Sequence, residues 1–448
     1  MTQGTYWVFV CCSSFMLLQH TYADDSEMSF VSQNSARLDV WSSDRDLSSL
    51  KNIGQASFWS NGTLKFNPAF KLHYDIVVSD ETDHTVNPDQ VSKVNRNLRE
   101  LYASYNWDQT FYLDLGRQIV VWGRADGINP TDNLSPRDYT RLVPDETDQR
   151  LGNDALKLTY IPESGTNKWT ALWYPRSRSD VIPLRQVAGV QYDIDRKSRP
   201  AFAMRWDYSV DGLDVGASYF SGLDHMPDLS LQSLSPTGAT LQLKNNPISV
   251  YGFDFSYNHN DIVWRGEAAY TKTNSDGSED LTHKKNNLTV VMGPEWSLKN
   301  STLSLVGVYK HTEDFKTADS LTNPLVKEVY RYQQTISDQY EQDQYGAMLR
   351  YALNLLNDNL KLEFTGFYFA PEPNELLRVR INYNLKLEFT GFYFAPEPNE
   401  LLRVRINYNL NDHWQLNAGG DRFWGRNDTV LGQFRDNSLV YAQVRYNF

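Results

Sequence analysis

An all-β fold, a transmembrane antiparallel up-and-down β-barrel of about 18 strands, is what this chain predicts, and three observations carry the prediction. Segments of about ten residues with alternating apolar and polar side chains recur from residue 35 to the end, the period-two pattern of strands with one face in lipid and the other in water. The connections between them alternate between tight reversals and long polar stretches. The final strand puts Val440, Ala442, Val444, Tyr446 and Phe448 on one face and Tyr441, Gln443, Arg445 and Asn447 on the other, and it stops on an aromatic residue.

Residues 1–23 read as a signal peptide: an apolar stretch runs from Tyr6 to Leu18, and Thr21-Tyr22-Ala23 precedes Asp24-Asp25, although no Lys or Arg opens the segment. Both cysteines, Cys11 and Cys12, fall inside it, so the mature chain is expected to carry neither disulfides nor cysteine-held metals. Residues 24–34 form a short periplasmic segment and 35–448 the barrel. No stretch of 18 apolar residues exists, which excludes a membrane helix but not a barrel, whose strands meet lipid with every second residue only. The 27 Tyr and 12 Trp suit interfacial girdles, and the net charge of −12 argues against a nucleic-acid partner.

Taken in order, the alternation marks strands at 35–44, 54–65, 69–79, 97–106, 110–123, 154–162, 167–175, 200–209, 212–221, 248–258, 261–273, 287–298, 301–311, 343–355, 359–370, 375–384, 386–395, 400–410, 412–424 and 438–448. Tight turns fall at Asn67-Pro68, Trp107-Asp108, Gly165-Thr166, Asp211-Gly212, Asn260-Asp261, Lys299-Asn300, Asn357-Asp358 and Asn411-Asp412, rich in residues that tolerate the left-handed region. Long loops, 124–153, 176–199, 222–247, 274–286 and 312–342, all fall at the other end. Short turns inside and long loops outside the cell are the barrel pattern, which places both termini in the periplasm. In 312–342, Leu325, Val326, Val329 and Tyr330 have helical spacing, and the loop reads either as an inward partial plug or as an exposed, mobile segment.

Parity assigns the faces. Phe202, Met204, Trp206 and Tyr208 meet lipid while Arg205 and Asp207 point inward; Tyr251, Phe253, Phe255 and Tyr257 lie opposite Asp254. Trp264, Gly266, Ala268 and Tyr270 turn outward against Arg265 and Glu267 inside, and Arg350 points inward from 343–355. A basic residue at the lipid midplane costs about 2–4 kcal/mol, so this segregation fixes the register.

Residues 361–385 and 386–410 are identical, one whole hairpin repeated, which marks a very recent duplication, natural or artificial. Inserted, it raises the count from about 18 strands to 20 and preserves parity. The junction Asn384-Leu385 has lost the Asn-Asp turn of its neighbours, so two outcomes stand: the hairpin inserts through an imperfect turn, or the copy is extruded or mispaired.

The most distinctive stretch runs from Leu115 through Arg117, Gln118, Trp122, Gly123, Arg124, Asn129-Pro130-Thr131-Asp132 and on to Arg137. A strand reading LGRQ, then WG and a loop with NPTD, resembles Gram-negative outer-membrane barrels of the alginate-export type and related porin-like families. The resemblance implies a barrel of about 18 strands with an arginine-rich lumen for an anionic polysaccharide; the mixed lumen charge of this chain departs from it. Asn129 is placed to form an Asx-turn, and Arg117 and Arg124 to pair with Asp126, Asp132 or Asp138. The unit, with Arg137, reads either as a latch holding the loop over the pore or as a constriction that touches solute.

The lumen census has two walls. From residue 343 onward Arg350, Lys361, Arg378, Arg380, Lys386, Arg403, Arg405 and Arg445 stand against Glu363, Glu388 and Asp421 and make it basic; earlier strands contribute Asp75, Glu100, Asp114, Asp207, Asp214, Asp254 and Glu267 against Lys71, Lys157, Arg205 and Arg265, a wall of the opposite sign. Such walls either set up a transverse field that selects a charged solute or pair across neighbouring strands. His73, beside Asp75, is the sole mid-lumen histidine, and no catalytic constellation, metal spacing or cofactor motif is expected.

A barrel of this size encloses an aqueous channel by default. The expectation is a non-enzymatic bacterial outer-membrane porin passing small polar or anionic solutes, with polysaccharide export a further possibility. Its expected partners are outer-membrane lipid, lipopolysaccharide and, through Phe448, the barrel assembly machinery. The alternative is a loop-occluded barrel serving as surface receptor, adhesin or structural protein.

Overall fold

The computed structural model describes residues 28–43, 52–83, 93–125, 129–139, 146–182, 184, 189–195, 198–235, 238–273, 283–339, 341–355, 360–370, 374–383, 385–394, 400–424 and 438–448. The expected signal peptide, 1–23, lies outside them.

The chain opens with β1 (Ser29–Ser43), β2 (Asn52–Lys65), β3 (Phe70–Asp83), β4 (Lys93–Trp107) and β5 (Phe111–Gln118). After a long inward segment come β6 (Asn153–Tyr160), β7 (Asn167–Tyr174), β8 (Val190–Asp195), β9 (Ala201–Val210), β10 (Leu213–Leu223), β11 (Asp228–Ser235) and β12 (Gly238–Lys244). Next are β13 (Pro247–His259), β14 (Ile262–Thr273), β15 (Asn287–Leu298), β16 (Ser301–Thr312), helix α1 (Pro324–Ser337) and β17 (Asp343–Leu355). The last six strands are β18 (Leu360–Ala370), β19 (Asn374–Tyr383), β20 (Leu385–Phe394), β21 (Glu400–Asn409), β22 (Trp414–Trp424) and β23 (Leu439–Asn447).

Twenty of these form one antiparallel sheet that meets itself, because β1 pairs with β2 on one side and β23 on the other. The seam shows why the sequence closes here. Leu38 and Val40 oppose Val444 and Ala442 and stay exposed, whereas Arg37, Asp39 and Trp41 oppose Arg445, Gln443 and Tyr441 on the inner face. Inside, Gln443 donates to Asp39 Oδ1 and accepts from Asn417, and Trp41 stacks on Tyr441. Pairing continues to the last residue, with the Phe448 N–H bonded to the Asn34 carbonyl.

All twenty predicted barrel strands are present. β1 starts at Ser29 rather than 35, and the strand expected over 110–123 stops at Gln118, where the chain turns into the lumen. Both copies of the repeat pair in sequence within the ring, as β18–β19 and β20–β21. The side chains of these four strands lie outside the described residues.

Tight reversals gather at the end that carries the termini. Asp211 and Gly212 both take positive φ, as do Asp108 and Gln109. Asn67 Oδ1 accepts from the Ala69 and Phe70 amides, and Asn411 Oδ1 from those of His413 and Trp414, which explains the Asn preference at these turns.

At the opposite end, two stretches read as loops, 176–199 and 222–247, instead contain strands. β11 and β12 form a hairpin, and β8 adds parallel to β12, making a three-stranded sheet apart from the barrel. Helix α1 packs on it: Val329, Tyr332 and Ile336 join Leu229, Leu241 and Leu243 in one apolar cluster. Asn323 caps the helix through its side chain and Pro324 opens it. The helical spacing was legible; its destination is this small sheet, because the sheet's apolar face needs covering.

Candidate functional site

Residues 119–125, 129–139 and 146–152 enter the barrel and brace its wall. The inner face of β9, β10, β13 and β14 carries a lateral row, Asp207, Gly216, Asp254 and Glu267, directly opposed strand by strand. Gly216 leaves a slot between two carboxylates, and a Cβ there would collide with Arg205 Nη2 and lie 2.7 Å from Arg124 Nη1. Into this slot the two guanidiniums seat. Arg205 donates to both oxygens of Asp254, at 2.7 and 2.9 Å, and to Asp207, while Arg124 from the inward segment reaches Asp254 and, at 3.0 Å, Asp207. Asp254 has no exposed surface, so it needs its two cationic partners.

Glu267 holds the segment's backbone. Its carboxylate accepts from the Arg124 and Ala125 amides and from the Thr131 amide and hydroxyl. Trp122 and Leu134 then pack among Leu172, Tyr174, Ala203, Phe220 and Val250 on the inner wall. At its far end Asp148 lies 2.7 Å from Arg37 of β1 and 3.6 Å from Arg99 of β4. The two guanidiniums stand 4.0 and 5.3 Å from the centre of the Trp59 ring, cation–π geometry. The segment thus ties β1 to β14, which lie half a turn apart around the ring.

Beneath it are two cavities. One, of about 580 Å³, is lined by Lys71, Lys157, Lys168, Arg124 and Arg205 against Asp114 and Asp207, with His73 beside them. His73 shares a hydrogen bond of 2.8 Å with Thr63 and stacks on Tyr102. Lys157 pairs with Asp114 at 2.7 Å and Lys168 reaches Asp207 at 3.5 Å. Lys71 has no ion-pair partner among the described residues and lies directly opposite Lys65 of β2, an unfavourable like-charge pair in the absence of an anion. The other cavity, about 790 Å³, holds Arg37, Arg99 and Arg445 with Asp75, Asp148 and Asp412.

Of the remaining predicted residues, Asp75 pairs with Arg99 at 3.1 Å; Arg265 and Arg350 converge on Glu295 at 3.3 and 3.4 Å; Arg445 donates to Asn447. Gln118 is buried and donates to the Ala155 carbonyl. Asn129 closes a backbone turn to the Asp132 amide, and Asp132 accepts from Arg150 at 2.6 Å with Arg137 at 3.5 Å. The side chains of Arg378, Arg380, Arg403 and Arg405 lie outside the described residues.

Arg117 is the exception among the constriction residues. Neighbours on a strand point to opposite faces, so with Gln118 inward Arg117 faces outward, where it pairs with Asp154 at 2.8 Å. The acidic character expected of the earlier wall is also largely cancelled: Asp114, Asp207 and Asp254 are all paired, and Lys65, Arg37 and Arg99 add positive charge. Arg37 could have been read from the parity of 35–44. Arg99 could not, because a bulge opposite Asp75/Ile76 turns it inward beside Glu100.

The small sheet and its helix are joined to the inward segment. Val181 exchanges backbone hydrogen bonds with Arg137 and Tyr139, and Asp180 accepts from the Arg137 amide. Within this cap Lys284 is buried and donates to Asp224 at 2.7 Å and to the Met226 carbonyl, with Asp228 4.0 Å away. Burial opposes the Lys284 charge, but Asp224 and Asp228 outweigh it and hold its pKa above the usual lysine value. Asp228, the more distant carboxylate, is pushed up by burial despite Lys284.

A closed antiparallel barrel with a charged lumen and a segment folded into it is the porin architecture, and the comparison with solved structures gives the same fold. The chain is similar to OccAB3 of Acinetobacter baumannii, at a TM-score of 0.53 and 11% identity over 94% of this chain and 99% of that one. It is also similar to OpdK of Pseudomonas aeruginosa, solved with vanillate, at 0.52 and 9% over 94% and 98%. The fold is therefore that of the outer-membrane porins. No protein-family model and no curated protein matches the sequence.

Proposed function

We propose that this protein is a non-enzymatic channel of the Gram-negative outer membrane that passes small polar and anionic solutes, with its short turns in the periplasm and its cap at the cell surface. The observation that carries the reading is Lys71, which lies opposite Lys65 and lines a cavity whose other lysines and arginines outnumber its carboxylates. Fixed positive charge in a low-dielectric wall raises the local concentration of anions and lowers the barrier to their passage. Asp254 and Glu267 touch no solute in this scheme; by binding Arg124 and the backbone beside it they hold the inward segment so that the passage has a fixed width. A lumen braced over half its ring favours small solutes over a polymer.

Planar-bilayer recording of purified protein tests the proposal. Discrete conductance steps with chloride favoured over potassium are expected; protein that is folded by heat-modifiable migration yet gives no steps would end it. That null result would favour the second reading, an occluded barrel with a surface role, for which the folded cap is the supporting observation. Vanillate, present in the OpdK structure, is a suitable aromatic carboxylate for competition.

A further inference from the structure

We infer that the inward segment parts the vestibule at the short-turn end into two chambers of unlike selectivity, the second of which takes zwitterionic or dipolar solutes of amino-acid size. The inference rests on the channel reading. Val120, Trp122 and Arg124 line the first cavity, whereas Asp148, from the other leg of the same segment, lines the second. The boundary falls on β3: Lys71 and His73 face the first chamber and Asp75, two residues further along the same face, the second. At that point the β4 bulge brings in Arg99, which pairs with Asp75.

The chambers differ in how their charges are met. In the first, Lys71 has a lysine, Lys65, as its cross-strand neighbour and no ion-pair partner among the described residues, and Lys168 is held only loosely. In the second, Arg37 is paired with Asp148 and Arg99 with Asp75, and three aspartates stand against three arginines. Asn34, Asn61 and Asn447 supply neutral donors and acceptors between them. A wall of matched charges has little net potential with which to gather ions of one sign, yet it offers fixed poles of both signs to a solute that carries both. The first chamber is thereby an anion route and the second a dipolar one.

Two variants and one measurement on the unaltered protein decide it. Lys71→Gln combined with Lys168→Gln should lower the chloride-over-potassium permeability ratio at least about twofold while leaving glycine-driven liposome swelling unchanged. Asn61→Trp, which narrows the second chamber, should slow glycine swelling and leave the ion ratio where it was. In the unaltered channel, saturating vanillate should depress chloride current without slowing glycine entry. Should each variant lower both readouts in proportion, or vanillate block glycine as well, the lumen is one route and the inference is wrong. A variant that fails to show heat-modifiable folding leaves the vanillate competition to decide. Absence of any conductance in the unaltered protein would instead strike at the channel reading.

Discussion

Glu267 offers a quantitative test of what holds the inward segment, because alanine and glutamine there remove different things. The carboxylate is 2% exposed, with Oε1 accepting from the Arg124 and Ala125 amides and Oε2 from the Thr131 amide and hydroxyl. Glu267→Ala strands these donors, and a buried donor without an acceptor costs about 1–3 kcal/mol. Counting the two Oε1 amides alone, since the Thr131 hydroxyl can turn to another partner, the loss is roughly 2–6 kcal/mol, borne by the anchorage of the inward segment rather than by the barrel. Glu267→Gln keeps one oxygen for the two amides, and its NH₂ can donate to the Thr131 hydroxyl, so only the weak 3.5 Å contact from the Thr131 amide is lost. That loss is on the order of 1 kcal/mol. Open-channel current noise and trypsin cleavage within the segment are the readouts: alanine should raise both strongly and glutamine barely. If glutamine proved as damaging as alanine, negative charge rather than acceptor geometry would be the anchor, and hydrogen bonding to Glu267 would be refuted as what holds the segment.

Three further outcomes follow from particular contacts. Gly216→Val should drive the Arg205 and Arg124 guanidiniums out of their slot and strand Asp254, at a cost of about 3–5 kcal/mol, seen as a lower transition temperature of the heat-modifiable band; an unchanged transition would show the slot is not needed. Deleting 386–410 restores a Leu385-Asn411-Asp412 turn and removes two strands. The shortened chain should fold, and because diameter scales with strand number its conductance should be at most about 0.8 of the original, so an equal or larger conductance would contradict the ring geometry. In the cap, the raised Asp228 pKa means that its protonated form favours folding, and this stabilisation is lost as pH rises through the folded value, from the ordinary 3.8 upward. Hydrogen exchange over 224–246, corrected for intrinsic rates, should therefore slow as pH is lowered toward 4, and Asp228→Asn should flatten that dependence; a variant with the same pH profile would remove Asp228 from the account.

Much of the fold is written in local pattern. Alternation with period two, Asn and Gly at the tight reversals, and the amphipathic last strand each act within a strand or a turn, so the number, parity and facing of the barrel strands can be read one segment at a time. Arg205, Asp207, Asp254, Arg265 and Glu267 fall inward by the same parity. What the chain does between strands is a different matter. Gly216 looks like any strand glycine until Arg124, 92 positions earlier, comes to occupy the space it leaves. Arg99 depends on a bulge that breaks parity, the three-stranded cap on a parallel pairing between β8 and β12, and the pairing of Asp148 with Arg37 on closure of the ring. Sequence by itself indicated which face of the described strands turns outward, because a charge on the outer face of a membrane barrel costs kilocalories; only the tertiary structure decided which buried charges meet, because ion pairing depends on distance in space and the strand periodicity carries no record of it.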